Sequence, residues 1–213
     1  MIAAILKYIF IFVLSLLSFS KAFAIQWLDY DHIDPKHLIP TQALKQALEY
    51  FDEIKDKIRN PNFLTIIDFT KKSNQQRFYL VQLTTGVVKE YKVAHGIGSD
   101  SNNDGIAEKF SNHERSKASS IGFYLTKNTY IGKHGTSLIL KGLSETNSNA
   151  ESRAIVIHGS KYVSEKHHSI SGRSWGCPAL DHKISNSIIQ KIKEESLVYA
   201  WAGQKTKIIY DFN

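Results

Sequence analysis

The stretch that organises this chain is Arg153-Ala154-Ile155-Val156-Ile157-His158-Gly159, followed by Arg173-Ser174-Trp175-Gly176-Cys177-Pro178-Ala179. An apolar, β-branched run ending on His158-Gly159 reads as a buried strand that delivers a histidine. Gly176 and Pro178 put Cys177, the only cysteine of 213 residues, on a turn rather than in a packed interior. Structural cysteines usually behave as small buried apolar residues. A lone thiol between Gly and Pro, with a histidine on a neighbouring strand, reads instead as a nucleophile and its base.

The same β pattern extends outward from this pair. Alternating or apolar runs at Phe63 to Phe69, Phe78 to Thr84, Val87 to Ala94, Ile121 to Thr126, Ser137 to Leu143 and Arg153 to Ile157 predict strands, and Thr85-Gly86 predicts a hairpin turn. Ser196 to Trp201 and Thr206 to Tyr210 read as two closing strands. Before them, Leu44, Leu48, Phe51, Ile54 and Ile58 share one face of a helix predicted from Thr41, its N-cap, to Asn60-Pro61. A second, short helix is predicted over Lys183 to Lys193, with Ile184, Ile188 and Ile192 on one side. The expected fold is therefore mainly β, a mostly antiparallel sheet system with an N-terminal helix and a short helix after the cysteine. The polar segment Gly96 to Ser120 is long for a connection inside a compact β domain, which points to a functional wall or lid.

Residues 1–24 carry one early charge, Lys7, then the apolar stretch Tyr8 to Phe19, then Ser20-Lys21-Ala22-Phe23-Ala24. That is the pattern of a signal peptide cleaved after Ala24, and the apolar stretch is short for a membrane anchor. The expectation is an exported protein of the periplasm or cell envelope with no stable membrane span after cleavage. Residues 25–62 form its N-terminal helical segment and 63–213 one catalytic domain. Export into an oxidising compartment with a single cysteine excludes an internal disulfide, so stability must come from a packed core. The formal net charge is +7, and losing the leader removes two lysines and no acid. A moderately basic protein suits an anionic envelope polymer. No Lys/Arg stripe with interleaved aromatics marks a nucleic-acid surface.

In chemical terms, His158 is placed to take the Cys177 proton, and an ion pair between them would supply nucleophilicity near neutral pH. The carbonyl of Gly159 would orient the imidazole, so no carboxylate third member is needed. The turn at Gly176 and Cys177 exposes backbone N–H groups to a developing oxyanion, which points to acyl transfer. His95 and His134 each precede a glycine, but no close ligand pair such as His-Glu-x-x-His is present, and the reading includes no metal and no cofactor. Asp100 to Gly105 resembles the opening of a calcium loop, yet Ser111 stands where the twelfth-position Glu belongs, so a polar turn is expected.

His158-Gly159 followed by Ser174 and Gly176-Cys177 resembles the catalytic domain of the murein L,D-transpeptidases, the YkuD-like superfamily. Family members usually carry His-Gly-Cys after the Ser or Thr, with Arg or Asn two positions beyond the cysteine. Here Trp175 replaces the triplet's histidine and Ala179 the Arg or Asn, as in a divergent branch of the family. Ala94 to Ser99, Lys109 to Asn112, Ser119 to Thr126 and Gly132-Lys133-His134-Gly135 are similar to that branch as well.

The resemblance implies a β-rich sandwich or barrel in which Cys177, assisted by His158, Gly159 and Gly176, attacks the diaminopimelate to D-alanine bond of a peptidoglycan tetrapeptide stem. An amine from a second stem would resolve the thioester as a crosslink, and peptidoglycan stem peptides are the expected partners. Arg173, Ser174, Trp175, Tyr124, His95 and His134 are the expected substrate-binding residues, Arg173 first and Arg153 second as substitutes for the carboxylate grip missing at Ala179. Three alternatives stand beside this one. The same site would act as a carboxypeptidase or endopeptidase if water took the acyl group, and a degenerate site would leave a non-catalytic peptidoglycan-binding module. The papain-like NlpC/P60 peptidases place the cysteine before the histidine, which here would require His182.

Overall fold

The computed structural model describes residues 30–166 and 170–203; the expected leader 1–24 and the expected last strand Thr206 to Tyr210 lie outside them. Ten strands follow one another as β1 (Phe63–Asp68), β2 (Phe78–Gln82), β3 (Val87–Tyr91), β4 (His95–Gly96), β5 (Gly122–Gly132), β6 (Gly135–Gly142), β7 (Val156–Ser160), β8 (Gly172–Ser174), β9 (Ala179–Asp181) and β10 (Leu197–Trp201). Helix α1 (Thr41–Ile54) precedes them and α2 (Ser185–Ile192) lies between β9 and β10.

Eight strands form one sheet in the order β3-β2-β1-β10-β5-β6-β7-β9, and β4 pairs with β8 in a small second sheet. Ala94, just past edge strand β3, bridges to Ala179 in the opposite edge strand β9, so the large sheet nearly closes on itself. The β-rich, mostly antiparallel architecture expected from the sequence is present. Only two pairs of the large sheet run parallel, β1 with β10 and β7 with β9.

Alternation along the central strands explains how one sheet serves two cores. Leu64 and Ile66 of β1, with Leu197, Tyr199 and Trp201 of β10, face α1, whereas Ile67, Val198 and Ala200 face the interior that α2 fills with Ile188, Ile189 and Ile192. Strands buried on both faces read as continuous apolar runs, which is the signature of a central pair covered on each side. Helix α1 presents Ala43, Ala47, Leu48 and Phe51 to the sheet. Its Tyr50 stacks on Phe123 at 4.1 Å, and Phe123 stacks in turn on Tyr199 at 4.2 Å.

Both helix boundaries differ from expectation for local reasons. Pro40, not Thr41, is the N-cap of α1, and it has no side-chain oxygen to offer the first turn. The helix tightens into a 3-10 turn at Lys55–Lys57 and ends there, short of Asn60. Asn60 instead donates through Nδ2 to the carbonyls of Lys191 (2.9 Å) and Lys193 (2.8 Å), satisfying the C-terminal end of α2. Among the described residues no helix is long and apolar enough to cross a membrane.

Candidate active site

Strand β7 starts three residues later than the apolar run suggests and continues through Ser160. Ala154 sits in the left-handed region (φ 53°) and ends a turn closed by Ala154 N–H to the Glu151 carbonyl (2.9 Å), so Arg153 and Ala154 precede the strand. His158 pairs in register with Ala179 of β9, and its amide donates to the Pro178 carbonyl at 3.4 Å. The parallel pairing of β7 with β9 thus brings Cys177, two residues before Ala179, to the strand that carries His158.

Cys177 and His158 line one open cavity of about 460 Å³ with Tyr130, Lys133, His134, Arg153, Ala154, Val156, Tyr162, Ser174 and Trp175. The Cys177 thiol donates to the Ala154 carbonyl over 3.6 Å. His158 is buried and its Nδ1 donates to the Gly159 carbonyl at 2.9 Å, since a carbonyl only accepts. In the neutral ring this leaves Nε2 as the acceptor. The His134 ring, at the tip of the β5–β6 hairpin, stacks on His158 with centroids 4.4 Å apart.

Electrostatics at this pair differ from the ion pair expected from the sequence. Burial pushes the Cys177 thiol above its ordinary value, against the opposing pull of the Val156 amide and the charges of Arg153 and Lys133. Burial also holds His158 below its ordinary value; the Gly159 carbonyl raises it, and His134 and Lys133 lower it. Near pH 7 the resting pair is therefore a thiol and a neutral imidazole. A neutral imidazole is the form that can take the thiol proton.

The turn before Cys177 is held from three sides. Gly176 adopts φ +118°, and a Cβ there would stand 2.6 Å from the Ala118 carbonyl oxygen. Its carbonyl accepts from Ser119 Oγ at 3.1 Å, and the same Ser119 Oγ accepts the Gly96 amide at 3.0 Å. The Gly176 amide donates to Ser174 Oγ at 3.2 Å, so at rest it is engaged and reaches an oxyanion only by leaving that bond.

Segment 96–120 forms a wall beside this turn. Arg153 pins it, with Nη1 donating to the Ser111 carbonyl (2.6 Å) and Nη2 to the Ala118 carbonyl (2.6 Å), besides Ser120 and Ser116 hydroxyls. Both terminal nitrogens of its guanidinium are thus engaged by the wall, while the residue also lines the cavity.

Two other expected substrate-binding residues lie elsewhere. His95 is fully buried, with Nδ1 against Arg77 Nη2 (2.8 Å) and Nε2 against Asp100 Oδ2 (3.3 Å). Both ring nitrogens are occupied in a buried network beneath the wall. Tyr124 packs in the main core and its hydroxyl donates to the Ser120 carbonyl at 2.8 Å, with burial pushing the phenol up to about 12. Ser174, Trp175 and His134 do line the cavity, whereas the Arg173 side chain lies outside the described residues. Among the described residues no three His, Cys, Asp or Glu side chains cluster closely enough to hold a metal ion.

Sequence reasoning missed Lys133, Tyr130 and Tyr162, which line the cavity. It also missed the left-handed Ala154, whose carbonyl receives the thiol. Left-handed alanine costs about 1–2 kcal/mol, partly offset by the extra unfolded-state freedom of glycine. Ala154→Gly is accordingly expected to leave thermal stability unchanged or raise it by up to about 1 kcal/mol. A lowered melting temperature would show that the Ala154 methyl, not its backbone, supports the site.

A nearly closed mixed sheet that sets a cysteine turn beside a histidine strand defines a β-rich domain with a candidate thiol-acyl site. The model of the L,D-transpeptidase catalytic domain matches residues 35–201, and the chain belongs to that family. Similar solved structures include an L,D-transpeptidase from Xylanimonas cellulosilytica (15% identity, 67% of this chain and 62% of that one, TM-score 0.39). Another is an L,D-transpeptidase from Mycobacterium smegmatis (9% identity, 66% and 59%, TM-score 0.40). A third is the helical cell shape determining protein Pgp2 of Campylobacter jejuni (16% identity, 80% and 58%, TM-score 0.42). The chain spans about three fifths of the length of these proteins. No curated protein matches it.

Proposed function

We propose that this chain is an exported peptidoglycan L,D-transpeptidase, acylated on Cys177 by a tetrapeptide stem. In this reading residues 1–24 are the export leader, 25–62 the helical segment and 63–213 the catalytic domain, acting in the periplasm or cell envelope. The observation that carries the reading is the shared cavity of Cys177 and His158, with His158 Nδ1 tied to the Gly159 carbonyl. The family match supports the chemistry at that site.

The thiol sulfur attacks the diaminopimelate carbonyl as His158 Nε2 takes its proton, forming the C–S bond and a tetrahedral oxyanion. The Cys177 amide, joined by Gly176 once its bond to Ser174 opens, stabilises that charge. Collapse breaks the C–N bond, and His158 returns the proton to the departing D-alanine amine. A second stem's amine then displaces sulfur and leaves a 3,3-crosslink; water in its place would give a carboxypeptidase.

Intact-mass analysis of the protein incubated with a tetrapeptide donor is expected to show a covalent adduct that lacks D-alanine and maps to the Cys177 peptide. An unmodified protein would overturn the assignment. Adding an amine acceptor should yield crosslinked product; release of tripeptide alone would convert the reading to hydrolysis.

A further inference from the structure

Among the described residues the cavity lining contains no carboxylate, while Lys133 and Arg153 both contribute positive charge to it. Arg153 is committed to the wall through both terminal nitrogens. Lys133 is not: among the described residues no acidic side chain makes an ion pair with it.

Its position follows from the hairpin. Gly132 pairs with Gly135, so Lys133 and His134 are the two turn residues between β5 and β6, and the turn carries both to the cavity mouth. His134 is spent stacking on His158. The Lys133 ammonium lies 5.9 Å from the centre of the Trp175 ring, which is itself 70% exposed. Lys117 lies on the same indole at 5.1 Å but lines the neighbouring cleft with Glu114, Arg115 and Ser152. Two lysines thus lie within 6 Å of the Trp175 ring, of which only Lys133 lines the cavity that holds Cys177. After burial, Lys133 is also among the charges that bear on both Cys177 and His158, which marks its proximity to the reacting pair.

We propose that Lys133, braced against Trp175, holds the terminal carboxylate of the donor stem, the group that leaves with D-alanine. This takes over the role for which the sequence suggested Arg173, and it rests on the reading of Cys177 as acylated by a stem peptide. A mobile ammonium on a hairpin tip grips a carboxylate as a point charge rather than bidentately. The residue that leaves is the one gripped, so the contact selects tetrapeptide donors with a free C-terminus.

The test compares a tetrapeptide donor with its C-terminal carboxamide, reading the second-order rate of Cys177 acylation by intact mass. Wild type is expected to favour the free acid by about tenfold at low salt, less as salt screens the pair. Lys133→Met should bring the two donors to the same rate, while Lys117→Met should keep the wild-type preference. Because each variant is compared with itself across two donors, any change in Cys177 reactivity cancels. Alkylation by iodoacetamide, a neutral probe, confirms that the thiol site is intact. An unchanged acid-to-amide ratio in Lys133→Met, or equal rates for both donors in wild type, overturns the Lys133 assignment alone. Absence of wild-type acylation by either donor overturns it together with the function on which it rests.

Discussion

His158→Gln is expected to slow acylation of Cys177 by about 10²- to 10⁴-fold near pH 7, the range that a positioned proton acceptor contributes. The amide keeps the bulk of the ring but cannot accept and return a proton. Because burial holds the Cys177 thiol up and His158 down, the wild-type pair rests uncharged, and its reactivity depends on neutral imidazole. The sign of the pH dependence follows. Acylation by wild type should be level around neutrality and fall on the acid side, with a midpoint below the ordinary histidine value of about 6.5.

The variant should instead gain rate continuously as pH rises, because only hydroxide then generates thiolate, and it should approach wild type only above the ordinary thiol range. Iodoacetamide alkylation offers an independent reading. In a resting ion pair the alkylation rate is already high at pH 6. Here it should climb steeply only in alkaline solution. A variant that retains the neutral plateau, or a wild-type acid limb centred above pH 6.5, removes His158 from the role of base.

The residues of this prediction were legible in the sequence because the signal is local. A glycine-flanked cysteine and a histidine ending an apolar run announce themselves within a few positions. What surrounds them was not, because the determinants are distant in the chain. His95 preceding a glycine looks much like His158, yet Arg77 and Asp100 occupy its two nitrogens, and nothing in the spacing reveals that. Tyr124 belongs to an alternating strand whose pattern shows two faces without saying which one meets the cavity. Strand β10 lies parallel to β1 although well over a hundred residues separate them, so a reading by neighbours expects antiparallel pairs. The β7 boundary slipped because Ala154, with an ordinary helix- or strand-compatible side chain, occupies a left-handed turn. Lys133 was invisible as a site residue because a charged hairpin tip ordinarily means only solvent.

Gly176→Ala is expected to reduce acylation by about a hundredfold, the cost of misplacing a reacting group by roughly 1 Å. At φ +118° a side chain is strained, and its Cβ would meet the Ala118 carbonyl oxygen at 2.6 Å and Ile155 Cδ1 at 3.1 Å. The carbonyl cannot withdraw cheaply, because Arg153 Nη2 holds it at 2.6 Å while Ser119 ties the wall to Gly176 itself. The turn must move instead, and the next residue is Cys177. Stability should fall by about 1–3 kcal/mol from the backbone strain. Gly203→Ala isolates the conformational part: it has φ +65° and a single tight approach, 3.3 Å to the Thr70 Cγ2 methyl, and neither residue lines the cavity. That variant should lose about 1 kcal/mol of stability and keep its acylation rate. If Gly176→Ala were acylated as fast as wild type, the clamp of Arg153, Ser119 and Gly176 would have no hold on the position of the nucleophile.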